Sequence, residues 1–380
     1  MIERIISANY AVIKMYIHEL QGWPALHWNE KSLLKPLAAL RHRQGLLIGK
    51  MEALGLKPRS EAVLDTLTQD VVKSSEIEGE LLNRDQVRSS IARRLGIEIS
   101  AIAPADRNID GVVDMMLDAT QNYQAPLTRT RVLLWHTTLF PSRKSGMTPI
   151  RTGEWRDDSK GPMQVVSGPI GRERIHFEAP SATRLEAEMQ TFLAWFEEET
   201  SIDPVLKAGL AHFWFVTLHP FDDGNGRIAR AIADLALARS EHSAQRFYSM
   251  SAQIRLERKA YYEKLESCQK GDLDVTEWLI WFLGCLDRAI GTSAETLAAI
   301  MAKARFWDRH SGATLNARQI IILNRMLDGF DGKLTTTKWA AICKCSQDTA
   351  LRDIDDLIRR KILVKEDSGG RSTSYSVYTA

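Results

Sequence analysis

The chain has 380 residues, which at roughly 100–200 residues per domain predicts two or three domains. Apolar residues (44%) and charged residues (26%) occur in the proportions of folded globular proteins, which excludes general disorder. Fifty Lys and Arg against 48 Asp and Glu give a formal net charge of +2. This balance argues against a protein that coats nucleic acid, although it leaves room for one local basic face.

Sequence features that mark export or membrane insertion are missing. No apolar stretch approaches the ~20 residues that span a bilayer, and Glu3 and Arg4 interrupt the N-terminal segment, which lacks the pattern of a secretion signal. Four cysteines are too few for a disulfide framework, and Cys343 and Cys345 have no second pair at zinc-finger spacing. We therefore expect a reduced, cytoplasmic enzyme or regulator without a membrane partner.

Helical periodicity dominates the chain. Apolar residues recur at intervals of three, four and seven, which predicts helices within residues 33–54, 63–71, 185–196 and 279–283. Residues 98–110 lose this period and contain Pro104, which predicts a linker. No segment shows sustained apolar–polar alternation, so a large sheet is not expected and the predicted fold class is mainly α.

Two short segments are predicted to form β-hairpins. The first runs from Gln164 to Gly168, turns through Pro169 and Gly171, and returns through residues 175–177. The second joins residues 362–364 to residues 375–377 through a turn at Ser368, Gly369 and Gly370. The polar segment 308–312 separates this C-terminal region from the rest of the chain.

The segment from His219 to Arg230, HPFDDGNGRIAR, has the most informative composition. It lies between two predicted helices, Val205 to Leu218 and Ile228 to Arg239. The second helix follows two glycines, so its first amide groups should point into the connecting loop. Unpaired amides and the helix dipole favour an anion there, and glycine allows a phosphate to approach the backbone.

Side chains of this segment suit phosphoryl or nucleotidyl transfer. His219 titrates near neutral pH, Asp223 is a ligand for a hard cation such as Mg²⁺, and Asn225 adds an amide. Arg227 and Arg230 can pair with phosphates. A glycine-rich turn with solvated charges is the structural alternative. The presence of all these groups within one short segment favours the functional interpretation.

This segment matches every fixed position of HPFx[DN]GNGRxxR, so the chain resembles the Fic family. The resemblance implies a helical core that transfers AMP from ATP, with Mg²⁺, to a Ser, Thr or Tyr hydroxyl of a target protein. Doc-like kinases of this family have lysine where this chain has Gly226, and they bind the nucleotide in reverse. Glycine there favours nucleotidyl over phosphoryl transfer.

The resemblance also implies a role for each motif residue. His219 would be the catalytic base that deprotonates the target hydroxyl, and Asp223 would hold the Mg²⁺ that bridges the α- and β-phosphates. Gly224, Asn225 and Gly226 would form an anion hole for the nucleotide. Arg227 would bind phosphate oxygens, and Arg230 would bind the γ-phosphate.

Two further segments resemble family elements that surround the nucleotide. The first predicted hairpin occupies the place of the flap that aligns the target backbone and helps cover the nucleotide; its implied contact residues are Val165, Val166, Ser167 and Gly168. A segment downstream resembles the adenine-side element, with base stacking or a hydrogen bond implied for Tyr261, Tyr262 and Gln269. A plain surface hairpin and tyrosines that only pack are the alternatives.

An inhibitory motif precedes the core. Ser74 to Gly79, SSEIEG, matches [ST]xxxE[GN], and its N-terminal location resembles class II members. The resemblance implies that Glu78, at a helix end stopped by Gly79, pairs with Arg230 and displaces the γ-phosphate. It also implies removal of AMP from targets as a possible second activity. The alternative is a capping box, in which Ser75 and Glu78 begin a helix.

The resemblance divides the chain into residues 1–105, an N-terminal helical domain with the inhibitory motif, residues 106–308, the Fic catalytic domain, and residues 309–380. This last region resembles a winged helix-turn-helix, with the second hairpin as the wing. Its third predicted helix carries four aspartates, at 348, 353, 355 and 356, which disfavour DNA.

Two functions follow from these observations. The first is an autoinhibited protein adenylyltransferase whose partner is a target protein. The alternative is a DNA-binding transcriptional regulator with a nucleotide-sensing Fic domain. DNA and a second copy of the chain, as a homodimer, are the other partners considered.

Overall fold

The computed structural model describes residues 15–53, 56–99, 104–169, 171–199, 201–327, 332–366 and 373–378. These residues are mainly helical, as the sequence predicts, and among them no helix has the length and apolar character needed to cross a membrane. The chain divides into two compact units, one up to Ser293 and one from Ala294 onward. The three-domain division proposed from the sequence stays a prediction.

Eleven α-helices are described up to Arg309, besides one 3-10 turn at Ile17–Glu19. They are α1 (Glu30–Glu52), α2 (Leu56–Ile77), α3 (Arg84–Leu95), α4 (Arg107–Gln121), α5 (Arg129–Leu139), α6 (Ala182–Glu197), α7 (Pro204–Leu218), α8 (Asn225–Glu241), α9 (Met250–Leu256), α10 (Arg258–Gln269) and α11 (Thr276–Arg309). The predicted linker 98–110 was too long at its C-terminal end. Helix α4 already begins at Arg107 because the Asp106 carboxylate accepts hydrogen bonds from the amides of Asn108 and Ile109.

Helix α7 lies at the centre of the first unit. Its side chains are buried continuously from Val205 to Leu218, apart from half-buried Lys207, as expected for a helix that is apolar on almost every face. It packs chiefly against α8, which also contacts α4. Helix α8 begins at Asn225, earlier than the predicted Ile228, because Gly224 takes a left-handed φ of 82° and serves as the N-cap. Gly226 is therefore helical.

Four short strands precede α6. Strands β1 (Lys144–Ser145) and β2 (Thr148–Pro149) form one hairpin. Strands β3 (Gln164–Ser167) and β4 (Arg174–Glu178) form the predicted flap hairpin, with antiparallel pairing that shifts register between Val165 and Val166. Among the described strands, β3 pairs only with β4, which leaves its other edge without a strand partner.

Buried polar groups hold α2 against α8 and α9. The Asp70 carboxylate accepts hydrogen bonds from the Ser249 hydroxyl (2.5 Å) and the Ser251 amide (3.3 Å). Arg246 lies 2.9 Å from Asp234 of α8. Burial, reinforced by the nearby Asp234 carboxylate, raises the pKa of Asp70 to about 7. This network fixes the helix that carries the inhibitory motif.

The second unit contains α12 (Ala317–Leu327), α13 (Thr336–Cys343), α14 (Gln347–Arg359) and the antiparallel strands β5 (Leu363–Lys365) and β6 (Tyr375–Val377). The predicted helices and hairpin strands are thus present, around a core that includes Trp339. The predicted turn at residues 368–370 lies outside the described residues. The winged-helix assignment stays a prediction.

Two of the four aspartates on α14 are engaged within the unit. Asp353 pairs with Arg318 at 2.7 Å, and Asp356 pairs with Arg360 at 2.9 Å. Their charges are partly neutralised, which weakens one sequence argument against DNA contact. DNA binding and a homodimer remain predictions.

Candidate active site

His219 ends α7 in a left-handed conformation, with φ of 48°. Its Nδ1 lies 3.3 Å from the Val216 carbonyl oxygen, which can only accept, so Nδ1 carries the proton and Nε2 is free to accept another. Burial lowers the pKa of His219 to about 4, and the charge of Arg156 acts in the same direction. The imidazole is therefore a neutral base at neutral pH.

Arg156, which the sequence analysis did not single out, holds the backbone of the motif loop. Its Nε donates to the His219 carbonyl (2.8 Å), its Nη2 to the Pro180 carbonyl (2.5 Å), and its backbone amide to the Pro220 carbonyl (2.9 Å). The Asp158 carboxylate lies 2.9 Å from Nη1 and balances the buried charge. No local sequence pattern indicates this arginine, because the carbonyl groups that it binds, those of Pro180, His219 and Pro220, are far away in the sequence.

His136 on α5 supports the same loop from the other side. Its ring is fully buried and stacks on Phe221, with centroids 3.9 Å apart and planes 7° from parallel. The Gly153 amide donates to Nδ1 (3.2 Å), so Nε2 carries the proton and donates to the Asp223 carbonyl (3.2 Å). Burial lowers the pKa of His136 to about 4, which keeps this arrangement intact at neutral pH.

The predicted anion site lies at the start of α8. The first amides of a helix have no partner within it, and the helix dipole adds positive potential. The Asn225 side chain is used inside the loop, since its Nδ2 donates to the Phe221 carbonyl (2.8 Å) and its Oδ1 accepts from the Phe221 amide (2.9 Å). The Asn225 side chain therefore holds the loop in shape, so the group predicted to bind an anion is its backbone amide.

Asp223 precedes this helix and is half-buried. Its carboxylate accepts hydrogen bonds from the Gly224 amide (2.5 Å) and from the Ser145 hydroxyl. Within the described ranges no group of three or more His, Cys, Asp or Glu forms a metal site. Mg²⁺ is commonly held by one or two carboxylates together with substrate phosphates, so the donor chemistry of Asp223 fits this ion.

Arg230 is almost fully buried, with 2% of its side chain exposed, and it pairs with the inhibitory motif. Its Nη1 lies 2.8 Å from Glu78 Oε1. Its Nε donates to the Ser74 hydroxyl (2.9 Å) and its Nη2 to the Ser74 carbonyl (2.8 Å). The first and fifth residues of the motif thus contact the same guanidinium, a function for Ser74 that the sequence analysis did not assign.

The end of α2 explains how Glu78 reaches this position. The Gly79 amide donates to the Glu76 carbonyl and the Glu80 amide to the Ser75 carbonyl, while Gly79 has a left-handed φ of 90°. These bonds form a Schellman motif, which ends a helix. The alternative in which a capping box begins a helix here is therefore wrong.

Gly226 packs closely against the carboxylate of Glu78. A Cβ atom at this position would lie 2.2 Å from Glu78 Oε1 and 3.2 Å from Arg230 Nη1. The carboxylate thus occupies the space that any side chain at residue 226 would need. A lysine like that of the Doc-like kinases could not coexist with this ion pair.

Arg227 pairs with a different carboxylate, that of Glu80. Its Nη1 lies 2.6 Å from Glu80 Oε2, and 2% of its side chain is exposed. Its guanidinium carbon lies 5.0 Å from the centre of the Phe140 ring. The sequence analysis missed Glu80 because the residue falls just outside the inhibitory motif.

The flap is attached to α10 by a chain of hydrogen bonds. Ser167 Oγ lies 2.6 Å from His176 Nε2, and His176 Nδ1 lies 2.6 Å from Glu266 Oε2. Partial burial favours the neutral form of Glu266, but hydrogen bonds from Lys270, His176 and Arg174 outweigh it and lower its pKa to about 2. Val165 is half-buried, whereas Val166, Ser167 and Gly168 are exposed.

The predicted adenine-side residues lie in different environments. Tyr261 is buried and its hydroxyl lies 2.9 Å from His212 Nε2. Gln269 is also buried and donates to the Thr217 hydroxyl at 3.2 Å. Tyr262 is half-buried, with its hydroxyl 3.4 Å from Glu78 Oε2. Of the three, Tyr262 is the residue whose hydroxyl faces Glu78. Tyr261 and Gln269 form hydrogen bonds inside the protein. Contact with a base stays a prediction for all three.

A cavity of about 660 Å³ separates the flap from the motif loop. Its lining includes Gln164 and Val166 of the flap, Asp222 of the motif, and the basic residues Arg151 and Lys160. The flap and the motif loop therefore face one open space, which is large enough to admit side chains of another protein.

Replacing Gly224 by alanine should destabilise the motif loop. A Cβ there would lie 2.9 Å from the Phe140 ring, and φ of 82° is strained for any L side chain. We expect the free energy of unfolding to fall by about 2–4 kcal/mol, measured by urea denaturation. Gly45 in α1 has open space around it, so Gly45→Ala should instead stabilise by about 0.5–1 kcal/mol. Equal effects of the two substitutions would contradict this account.

Comparisons with known proteins agree with the fold and the motif. Residues 126–237 match the family described as Fic/DOC, and residues 16–97 match a domain of unknown function, DUF4172. Protein adenylyltransferase Fic from Drosophila erecta is 26% identical over 235 residues, which cover 60% of this chain and 43% of that protein. The chain thus aligns with less than half the length of this curated relative.

Two solved structures share the fold. A Fic family protein from Desulfovibrio desulfuricans G20 aligns with a TM-score of 0.51 and 19% identity, over 91% of this chain and 95% of the other. A Fic domain containing signaling protein from Bacteroides thetaiotaomicron VPI-5482 aligns with the same TM-score and identity, over 68% and 97%. These two likenesses show the fold, and the family match over residues 126–237, which contain the motif loop, shows that this chain carries a Fic/DOC domain.

Proposed function

We propose that this protein transfers AMP from ATP to a Ser, Thr or Tyr hydroxyl of a target protein, and that Glu78 inhibits the transfer. One observation carries the proposal. The neutral imidazole of His219 and two buried arginines flank the N-terminus of α8, an arrangement suited to a bound polyphosphate. The relative named protein adenylyltransferase Fic supports the same reaction class.

In the proposed reaction the target hydroxyl oxygen attacks the α-phosphorus of ATP. A bond forms between these two atoms, the bond from the α-phosphorus to the bridging oxygen breaks, and pyrophosphate leaves. His219 Nε2 takes the hydroxyl proton, because Nδ1 already carries a proton that it donates to the Val216 carbonyl. Arg227 and Arg230 stabilise negative charge on the phosphates.

Asp223 would hold Mg²⁺ in this reaction. When bound, the ion would supply electrostatic stabilisation of the phosphates. The part played by the chain itself is to orient the carboxylate: the Ser145 hydroxyl and the Gly224 amide hold its oxygens, and His136 holds its backbone carbonyl. These contacts fix Asp223 before any nucleotide arrives.

The flap would present the target. An extended segment could pair with the edge of β3 that has no strand partner among the described residues, because backbone hydrogen bonds recognise a strand without reading its sequence. The cavity beside Asp222 would then receive neighbouring side chains of the target. Arg151 and Lys160 give this cavity two basic residues, of which Arg151 already pairs with Glu154.

The inhibition rests on competition for Arg230. The Glu78 carboxylate and a phosphate oxygen would bind the same guanidinium, so both cannot occupy it at once. Ser74 holds the remaining guanidinium nitrogens and so fixes Arg230 in the paired orientation. ATP would then bind without its productive γ-phosphate contact.

Labelled ATP tests the reaction class. The protein with the substitution Glu78→Gly is incubated with a cell lysate, Mg²⁺ and ATP carrying ³²P at either the α- or the γ-phosphate. We expect the added protein to introduce label from the α-phosphate into protein, and not to increase γ-phosphate label above that of the lysate alone, because the γ-phosphate leaves in pyrophosphate. Protein label from the γ-phosphate alone would instead establish phosphoryl transfer, and intact-mass analysis of labelled proteins would identify the transferred group.

A further inference from the structure

The two arginines at the start of α8 are paired with two different carboxylates from one turn of chain. Arg230 pairs with Glu78 at 2.8 Å and Arg227 pairs with Glu80 at 2.6 Å. Both arginines have only 2% of their side chains exposed. They lie three residues apart, on neighbouring positions of one helix face, so together they form a single basic surface.

Local geometry explains why both carboxylates face this surface. Gly79 separates the two glutamates and has a left-handed φ of 90°. The Glu80 amide is fixed by the Ser75 carbonyl at 3.0 Å. The reversal at Gly79 thus sends two acidic side chains toward α8 within three residues, where an ordinary helical continuation would separate them by about 200°.

Arg227 retains capacity to bind an anion. Its buried Nε has no hydrogen-bond partner among the residues that the structure describes. Glu80 contacts it through one guanidinium nitrogen, and the Glu80 side chain is 43% exposed, against 28% for Glu78. A phosphate oxygen that displaced Glu80 could accept a hydrogen bond from Nη1, and a second oxygen of the polyphosphate could accept one from Nε, whose N–H points to the other side of the guanidinium.

We propose that Glu80, like Glu78, controls nucleotide binding. The two glutamates compete with different parts of the nucleotide. The inference rests on the proposed function, in which Arg230 meets the γ-phosphate and Arg227 meets phosphate oxygens that ADP and ATP share. Removing the Glu80 charge strengthens the binding of both nucleotides. Removing the Glu78 charge strengthens the binding of ATP alone.

Calorimetric titration of ATP and of ADP, each with Mg²⁺, tests this assignment. The proteins are the wild type, Glu80→Gln, Glu78→Gln and the double variant. We expect Glu80→Gln to tighten the Kd of both nucleotides about threefold to tenfold, a modest factor because the pair is partly exposed. Glu78→Gln should tighten the Kd of ATP and leave that of ADP within twofold.

Glu76→Gln is the matched control, because Glu76 lies in the same turn but pairs with Lys73 and Arg255. It should change neither Kd. The proposal is overturned if Glu80→Gln leaves both Kd values unchanged in the wild-type and Glu78→Gln backgrounds while ATP still binds. Absence of ATP binding in every variant, with unchanged melting temperatures, would instead overturn the proposed function. Glu80→Ala repeats the test with a side chain that cannot hydrogen-bond to Arg227.

Discussion

Replacing His219 by alanine should reduce AMP transfer by about 10²–10⁴-fold while the protein stays folded. The imidazole is the group at the end of α7 whose free Nε2 can accept a proton, since its Nδ1 is bonded to Val216. Alanine removes that acceptor. Nucleotide binding should be largely retained, because the arginines and the start of α8 are untouched. The measurement is protein labelling from α-³²P-ATP in the Glu78→Gly background.

The pH dependence of transfer adds a second check on His219. A histidine with an unperturbed pKa would lose its basic form as the pH falls below about 6.5. Burial lowers the pKa of His219 to about 4, so the neutral form persists through this range. We therefore expect the transfer rate to stay level from pH 8 to about pH 5.5 and to fall only as the pH approaches 4. A midpoint near 6.5 would contradict the structure.

His242 offers a matched control for the substitution. It ends α8 in a left-handed conformation with φ of 51°, as His219 ends α7, but its side chain is exposed and away from the motif. His242→Ala should therefore leave transfer within a factor of two. Equal losses for the two variants would mean that the helix end, and not the imidazole, explains the effect.

Replacing Glu78 by glycine should raise AMP transfer about 10–100-fold. Hydrogen bonds to charged groups contribute about 1.5–3 kcal/mol, and each 1.4 kcal/mol is a factor of ten in an equilibrium constant. The substitution frees Arg230 Nη1 and also vacates the space beside Gly226 that the carboxylate occupies. The γ-phosphate can then bind Arg230 Nη1 and occupy the space beside Gly226. Initial rates of protein labelling at saturating ATP measure the effect.

Glu76→Gly makes the same chemical change two residues earlier and provides the control. Glu76 pairs with Lys73 and Arg255, so its removal weakens the end of α2 without freeing Arg230. We expect no more than a small rise in transfer. A comparable rise for both variants would show that loosening α2, and not releasing the arginine, relieves the inhibition. A fall in transfer for Glu78→Gly would refute inhibition by this glutamate.

The sequence predicted those parts of the fold that depend on residues close together in the chain. Helix α7 followed from a run of apolar residues and the flap from two short strands around a turn, because burial and turn geometry act locally. The start of α8 was placed three residues too late. The left-handed conformation of Gly224, which allows Asn225 to be helical, leaves no periodic signal.

The sequence by itself determined the chemistry of the motif: a base, a carboxylate, glycines and two arginines at fixed spacing, together with the acidic turn that follows α2. Tertiary structure alone decided which of these groups meet. Arg227 and Glu80 are 147 residues apart, and Arg156 and His136 reach the motif loop from other elements. Contacts of this kind depend on how helices pack and on which charges become buried together, so they cannot be predicted from a single stretch of sequence.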